Sequence, residues 1–222
     1  MADACGGTDA CGGCRVVMAV TSLAPTVDEA MTVARQIGYP VALKAVGPEI
    51  VHKTDVGGVV LNVSDDTSLR SAFSTLKSRL GEAMTAAVVQ EMVPGGVELL
   101  VGAIADPVFG PLVACGSGGV LVDLLGDTTF RINPLTDVEA AEMIGALKSV
   151  ALLRGYRGQV AHDEAAAIDA VLRVSRLLEL CPEIQELELN PLKVLPHGAR
   201  AVDVRVRVGH SPARPADRRI VY

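Results

Sequence analysis

The 222-residue chain reads as an α+β protein, and three observations lead there. Several short apolar runs follow one another as hairpins instead of alternating one for one with helices, which disfavours a doubly wound parallel sheet. Stretches of helical period, opened by capping residues and closed by glycines, are interspersed among them. The length suffices for a core in one large domain or two small ones.

Residues 1–15 are Cys- and Gly-rich and read as a disordered tail, and residues 16–20 read as a short strand. Thr26 and Glu29 have capping-box spacing, which opens a helix over 27–37 that stops at Gly38. The runs 40–46 and 59–63 read as strands, 66–80 as a second helix ended by Gly81, and 86–93 as a buried strand before Pro94-Gly95-Gly96. Residues 97–105 form the next strand, Asp106-Pro107 turns the chain, and 112–114 begins another. Gly116-Ser117-Gly118-Gly119 reads as a flexible loop, with 120–124 and 128–132 as strands beyond it. Thr136 and Glu139 repeat the capping-box spacing before a helix over 138–148. Residues 154–158 form a basic, glycine-containing loop, and Asp163 caps a long helix over 164–180. Strands at 184–189, 193–195 and 200–207 close the fold. The expected division is a tail over 1–15, a folded body over 16–208 and a second tail over 209–222.

Composition excludes several classes. Half the residues are hydrophobic, yet no apolar run approaches the roughly 20 residues of a membrane span. The first residues lack a basic start followed by an apolar stretch, so no signal peptide is expected. A net charge of −6, no Trp, and only three Phe and three Tyr argue against a nucleic-acid binder. Five cysteines without framework spacing suit a reducing cytoplasm. Cys11 and Cys14 have the spacing of a zinc knuckle, but a closed site needs four ligands. With Cys5 as a third, the fourth would have to come from Cys115, Cys181 or a distant histidine, so a reduced tail is the expectation.

Chemistry concentrates around residues 38–63. Between two strands lie Glu49, His52, Lys53, Thr54, Asp55, Gly57 and Gly58. Such a set is unusual for a loop that only turns the chain. Lys44 shares a strand face with Ala42 and Val46, where an ammonium is costly unless something anionic meets it. Taken singly, each has a plainer reading: Lys44 as an edge charge, His52 as a satisfied loop side chain, the glycines as a turn.

No GxxxxGK[ST] element and no GxGxxG between strand and helix is present, so P-loop and Rossmann readings fail. A nucleotide site can still be assembled from separated parts. It needs a cation for the phosphates, a hinge with free backbone groups, an acid for the nucleoside and oxygen ligands for magnesium. Lys44, the segment 90–93 with Glu98, and the pair Asn190 and Asp203 supply these. In IQELELNPL, Glu186, Glu188 and Asn190 share one face, with Ile184 on it too, and Leu187 and Leu189 fill the other before Pro191 turns the chain. Asp203 lies in AVDVRV, and two neighbouring strands would bring it to Asn190. A merely solvated sheet face is the competing reading for Glu186.

The segments GYPVALK, HKTDVGGV, QEMV, GVELLVGAIADPVFGP, LLRGYRG, ELELNPL and AVDVRVRV stand in the order found in the nucleotide-binding part of ADP-forming acyl-CoA synthetases. Over residues 26–208 the chain resembles the stand-alone beta subunit of ADP-forming acetyl-CoA synthetase, a relative of the succinyl-CoA synthetase beta subunit. The resemblance implies an ATP-grasp fold, in which two α+β subdomains hold a nucleotide between them. It implies interconversion of acyl-CoA, ADP and phosphate with free acid, CoA and ATP through a phosphohistidine relay. A CoA-binding alpha-type subunit or domain would form the acyl phosphate, giving a hetero-oligomer, and the acyl-CoA and organic acid would be reached through that partner.

Carried onto this sequence, the resemblance makes His52 the relay residue and Lys44 the grip on the phosphates. Gly57 and Gly58 would admit backbone amides to phosphate. Glu91, Met92 and Val93 would form the adenine hinge, with Glu98 near the ribose or phosphates. Asn190 and Asp203 would hold Mg2+, and Glu186, Glu188, Arg131 and Arg157 are secondary candidates. Two departures stand out: the stretch before Thr26 replaces a helix and strand of the family, so the entry subdomain is expected to be shortened, and Asp123 stands where glutamate is usual. A nucleotide-binding regulatory module, as in copies fused to acetyltransferases, is the alternative. A carboxylate–amine ligase is a weaker third reading, against which the HKTDVGGV loop speaks.

Overall fold

Two antiparallel sheets carry the chain, which forms two compact units, one of Met18–Pro94 and one of residues 16–17 with those from Gly95 onward, among the described residues. The structure, a computed structural model, describes residues 16–48, 50, 56–119 and 126–209. The expectations for residues 1–15 with Cys5, Cys11 and Cys14, for Glu49, His52, Lys53, Thr54 and Asp55, for the strand 120–124 with Asp123, and for 210–222 lie outside the described residues.

The first unit holds β1 (Thr21–Ala24), α1 (Val27–Ile37), β2 (Val41–Val46), β3 (Val59–Val63), α2 (Asp66–Leu80) and β4 (Ala86–Glu91), with strand order β1-β4-β2-β3. Thr26 Oγ1 accepts the Glu29 N–H and the Asp65 carboxylate accepts the Ser68 N–H, so both helices start where a side chain replaces a missing backbone acceptor. Gly38 closes α1 at φ 96°, a conformation that glycine adopts without strain. Ala30, Met31 and Ala34 of α1 and Leu69, Ala72 and Leu76 of α2 bury their faces against Val41, Leu43, Ala45, Ala87 and Val89.

The expected strand at 16–20 lies further along the chain. β1 begins at Thr21 because its ladder runs from Thr21 opposite Gln90 to Ala24 opposite Ala87, and Val17, Met18 and Val20 are exposed. β4 stops at Glu91, short of Val93, where Glu91 N–H donates to Val20 O.

The second unit holds β5 (Val97–Asp106), β6 (Gly110–Ser117), β7 (Thr128–Ile132), α3 (Asp137–Gly145), α4 (Val150–Leu153), α5 (Glu164–Leu180), β8 (Ile184–Val194), β9 (Ala199–Ala201) and β10 (Val204–Val208). Its sheet runs β10-β8-β5-β6-β7, with β9 also on β8. Leu99, Val101, Val113, Leu187, Leu189 and Leu192 pack with Met143, Ile144, Val171, Val174 and Leu178 of the helices. Cys115 is inside this core, and burial pushes its thiol up to about 12, which disfavours it as a thiolate ligand.

Three expectations here are corrected. The helix expected over 138–148 ends at Gly145, because the Asp127 carboxylate accepts the Lys148 and Ser149 N–H groups and a separate short helix starts there. Gly116 and Ser117 belong to β6, not to a flexible loop: they pair with Leu100 and Leu99, and a Cβ on Gly116 would come 2.7 Å from Asp127 O. β8 runs through Pro191 without turning, since Pro191 O accepts the Val202 N–H.

The pleat of β8 is also out of phase with a simple alternation. An irregularity between Arg207 and Val208 of β10 falls opposite Gln185, and it turns Ile184 into the core with Leu187 and Leu189. Ile184 therefore does not share the face of Glu186, Glu188 and Asn190. Among the described residues no helix is long and apolar enough to cross a membrane.

Candidate functional site

In the first unit, Lys44 sits on the face of β2 away from the helices, opposite Val59 on one side and Val88 on the other. It is 9% exposed, in keeping with its place within the apolar run VALKAV. Ala42 and Gln90 pair beside it, and Gln90 Nε2 donates to Thr21 Oγ1 at 2.9 Å. That face sets Lys44, Gln90 and Thr21 among Ala42, Val59 and Val88.

Gly57 and Gly58 follow the segment that contains His52. Gly57 has φ 62°, and a Cβ there would lie 2.2 Å from the Arg79 guanidinium, whose Nη1 donates to Gly57 O. Gly58 O accepts the Ala45 N–H at 2.7 Å. Both glycines thus have structural work on β2 and α2, which accounts for Gly57 without any ligand. At the end of β4 the Glu91 carboxylate accepts the Val20 N–H at 3.0 Å, Met92 and Val93 follow without regular structure, and the unit ends at Pro94.

In the second unit, Asn190 on β8 and Asp203 just before β10 are neighbours: Asn190 N–H donates to Asp203 O at 3.1 Å. Among the described residues no hydrogen bond or ion pair engages the half-buried Asp203 carboxylate. The Asn190 amide is held at both ends. Its Nδ2 donates to Glu188 Oε1 at 3.0 Å, and its Oδ1 accepts the Gly119 N–H at 3.2 Å. Glu98 on β5 lies beside the same Gly118-Gly119 step: Gly118 N–H donates to Glu98 O at 2.8 Å, and Lys193 Nζ stands 3.5 Å from Glu98 Oε1.

The remaining candidates are not part of this cluster. Glu186 pairs with Arg207 at 3.1 Å on an exposed face. Arg131 lies on β7, at the opposite edge of the sheet from β10, with its guanidinium 3.7 Å from Glu142 of α3. Arg157 occupies the turn between α4 and α5 at φ 54°, over the Tyr156 ring. Gly118, Gly119 and Lys193 escaped the sequence reading. The adjacent glycines after an apolar strand were their only signal, and that signal also fits a flexible loop.

Asn190 Oδ1 and the Asp203 carboxylate are hard oxygen donors on adjacent backbone. No group of three His, Cys, Asp or Glu among the described residues could hold a metal ion. Two such hard oxygens fit Mg2+, which binds through one or two protein oxygens and completes its shell with phosphate and water.

The ATP-grasp domain family matches residues 9–208, and the chain belongs to that family. Within it the chain is homologous to the beta part of ADP-forming acetyl-CoA synthetases. It is 46% identical over 198 residues to the ADP-forming acetate–CoA ligase I of Archaeoglobus fulgidus, covering 87% of this chain but 29% of that protein. It is 39% identical over 184 residues to subunit beta of the Pyrococcus furiosus ADP-forming acetate–CoA ligase I, covering 81% of this chain and 79% of the subunit.

Among solved structures it is similar to acetyl-coenzyme A synthetase 1 of Ca. Korarchaeum cryptofilum in complex with coenzyme A and Ca-AMPCP. The TM-score is 0.84 at 39% identity, over 87% of each chain. Another structure of that synthetase holds coenzyme A and Mg-AMPPCP, with its phosphohistidine segment pointing towards the nucleotide-binding site.

Proposed function

We propose that this chain is the nucleotide-binding, phosphoryl-transferring part of an ADP-forming acyl-CoA synthetase, which interconverts acyl-CoA, ADP and phosphate with acid, CoA and ATP. The observation that carries the reading is the Asp203 carboxylate beside Asn190, which no hydrogen bond or ion pair engages among the described residues. It stands in a chain 39% identical to a ligase subunit beta.

Lys44 binds the nucleotide phosphates, and its burial on β2 favours an anion over water as its partner. The backbone of Glu91, Met92 and Val93 faces the adenine, and Glu98 orients the ribose or phosphates. Asn190 and Asp203 hold Mg2+, which neutralises phosphate charge when bound. His52 takes the phosphoryl group on an imidazole nitrogen from a phosphohistidine of the partner, and releases it to a terminal oxygen of ADP. One N–P bond breaks and another forms in the first transfer; in the second an N–P bond is exchanged for an O–P bond.

Calorimetry with Mg-ADP tests the nucleotide site. Binding is expected, and Lys44→Ala should weaken it by about tenfold, the equivalent of about 1.4 kcal/mol, and by more than Lys53→Ala does. Folded protein that takes up no Mg-ADP overturns the proposal. The partner is a CoA-binding alpha-type subunit or domain, and the acyl substrate is reached through it. Co-expression with each such subunit of the source cell should give a complex that sediments as a hetero-oligomer. A chain that sediments alone in every case excludes this assembly.

A further inference from the structure

We infer that the Gly118-Gly119 step is a positioning element for the cation site, acting through Asn190. The inference rests on the magnesium reading above. The Gly119 N–H on Oδ1 and the Glu188 carboxylate on Nδ2 fix which end of the Asn190 amide faces which neighbour. An inverted amide would set its NH2 against the Gly119 N–H and its oxygen against a carboxylate, two repulsive contacts in place of two bonds. Oδ1, the hard ligand atom, is therefore turned towards the glycine step. A carbonyl oxygen has two lone pairs, so the N–H occupies one and leaves one for a cation.

The step lies against backbone at Gly118 and against the end of the Glu98 side chain at Gly119. A Cβ on Gly119, at φ 60°, would lie 2.2 Å from Glu98 Oε2. A Cβ on Gly118 would lie 2.6 Å from the carbonyl carbon and oxygen of Leu99. Gly118 N–H meanwhile donates to Glu98 O at 2.8 Å. The backbone is thus laid directly on β5 and reaches β8 through one N–H. Glu98 and Asn190, on two different strands, meet at this one backbone step. With a Cβ at Gly118 the step must lift from the Leu99 backbone, and the Gly119 N–H is carried off Asn190 Oδ1. The amide is then free to rotate, and the cation loses a prearranged ligand.

Gly126 supplies the control. It has φ 53°, like Gly119, but a Cβ there meets nothing within 4 Å. Gly126→Ala therefore alters a nearby glycine without the backbone collision that Gly118→Ala brings. The test uses the full chain, Mn2+ as probe and ADP. Gly118→Ala should weaken Mn2+ binding in the ADP complex by about tenfold or more, the usual scale for losing a contact that orients a metal ligand. Its ADP affinity in EDTA should stay within about twofold of wild type, since the cation is absent from that measurement. Gly126→Ala should leave both affinities unchanged. In the wild-type protein the Gly119 amide resonance should move when Mg2+ is added to the ADP complex, a readout that needs no variant to fold.

Equal Mn2+ affinity in Gly118→Ala and wild type overturns the inference, as does a Gly119 resonance indifferent to Mg2+. So does a loss of ADP affinity in EDTA as large as the loss of Mn2+ affinity, since that is the mark of a general defect. Wild-type protein that binds ADP but no Mn2+ overturns the magnesium reading itself, and is a different result from Mn2+ bound equally by both proteins.

Discussion

In the assembled complex, His52→Asn is expected to abolish ATP formation from acyl-CoA, ADP and phosphate, a loss on the order of 10³-fold or more. Melting and ADP binding should stay near wild type. A relay residue must attack phosphorus and then leave it near neutral pH, and an imidazole nitrogen does both. The Asn carboxamide can hydrogen-bond much as a histidine does, but its nitrogen is not basic and cannot carry the group. The expectation rests on the HKTDVGGV motif and on family membership.

The plainer account makes His52 a structural side chain. It predicts the reverse pattern: a stability cost of about 1 kcal/mol for a lost hydrogen bond, with turnover following the fraction of folded protein. The deciding measurement is acid-labile, base-stable label on this chain after incubating the complex with labelled ATP. Wild type should carry it and His52→Asn should not. Label that persists in the variant, or full turnover by it, excludes His52 as the relay. Wild-type protein that binds ADP yet takes up no label is the outcome expected of a nucleotide-binding regulatory module.

What could be seen in the sequence follows from how local each device is. The helices 27–37, 66–80 and 164–180 were legible to the residue, because a cap and its partner stand three residues apart and glycine ends two of them. Strand limits depend on where a distant partner runs out. β1 begins at Thr21 because Gln90 lies opposite, and nothing within 16–24 states that. Ile184 was misassigned for the same reason, since the irregularity opposite Gln185 is a property of the β8–β10 pairing.

The site divides the same way. Buried Lys44 follows from its apolar strand, and Asn190 beside Asp203 follows from two strands a short hairpin apart. The Gly119 N–H reaches a side-chain oxygen 71 residues further on, a contact that composition cannot announce. Asp127 was equally invisible: GDTTF shows only an acid beside a turn, and its partners lie 10 to 22 residues away.

Asp127→Asn should be among the most destabilising single changes in the second unit, by about 3 kcal/mol at pH 7. The carboxylate is 5% exposed. Its Oδ1 accepts the Lys148 N–H at 2.8 Å, and its Oδ2 accepts the Ser149 N–H at 2.9 Å and the Ser117 hydroxyl at 2.8 Å. Asparagine keeps the shape but offers one acceptor oxygen. Its NH2 must face at least one buried N–H, which leaves donors unsatisfied on both sides. Burial alone would raise the Asp127 pKa. The hydrogen bonds from Lys148, Ser149 and Ser117 outweigh it and hold the carboxyl below its ordinary value of 3.8.

A depressed folded pKa contributes stability that is complete above the unfolded value and is lost as pH falls through the folded one. Wild type should therefore lose stability below about pH 4, while the variant, which has no carboxyl at this position, lacks that component. The gap between the two proteins should be widest near neutrality and narrow on acidification. Urea unfolding followed by circular dichroism at several pH values between neutrality and about pH 3 measures it. A variant within about 0.5 kcal/mol of wild type at pH 7, the range of an ordinary surface change, would show that the bonds to Asp127 contribute little. A gap of constant size across the pH range would show that the carboxylate's charge is not what Lys148, Ser149 and Ser117 recognise.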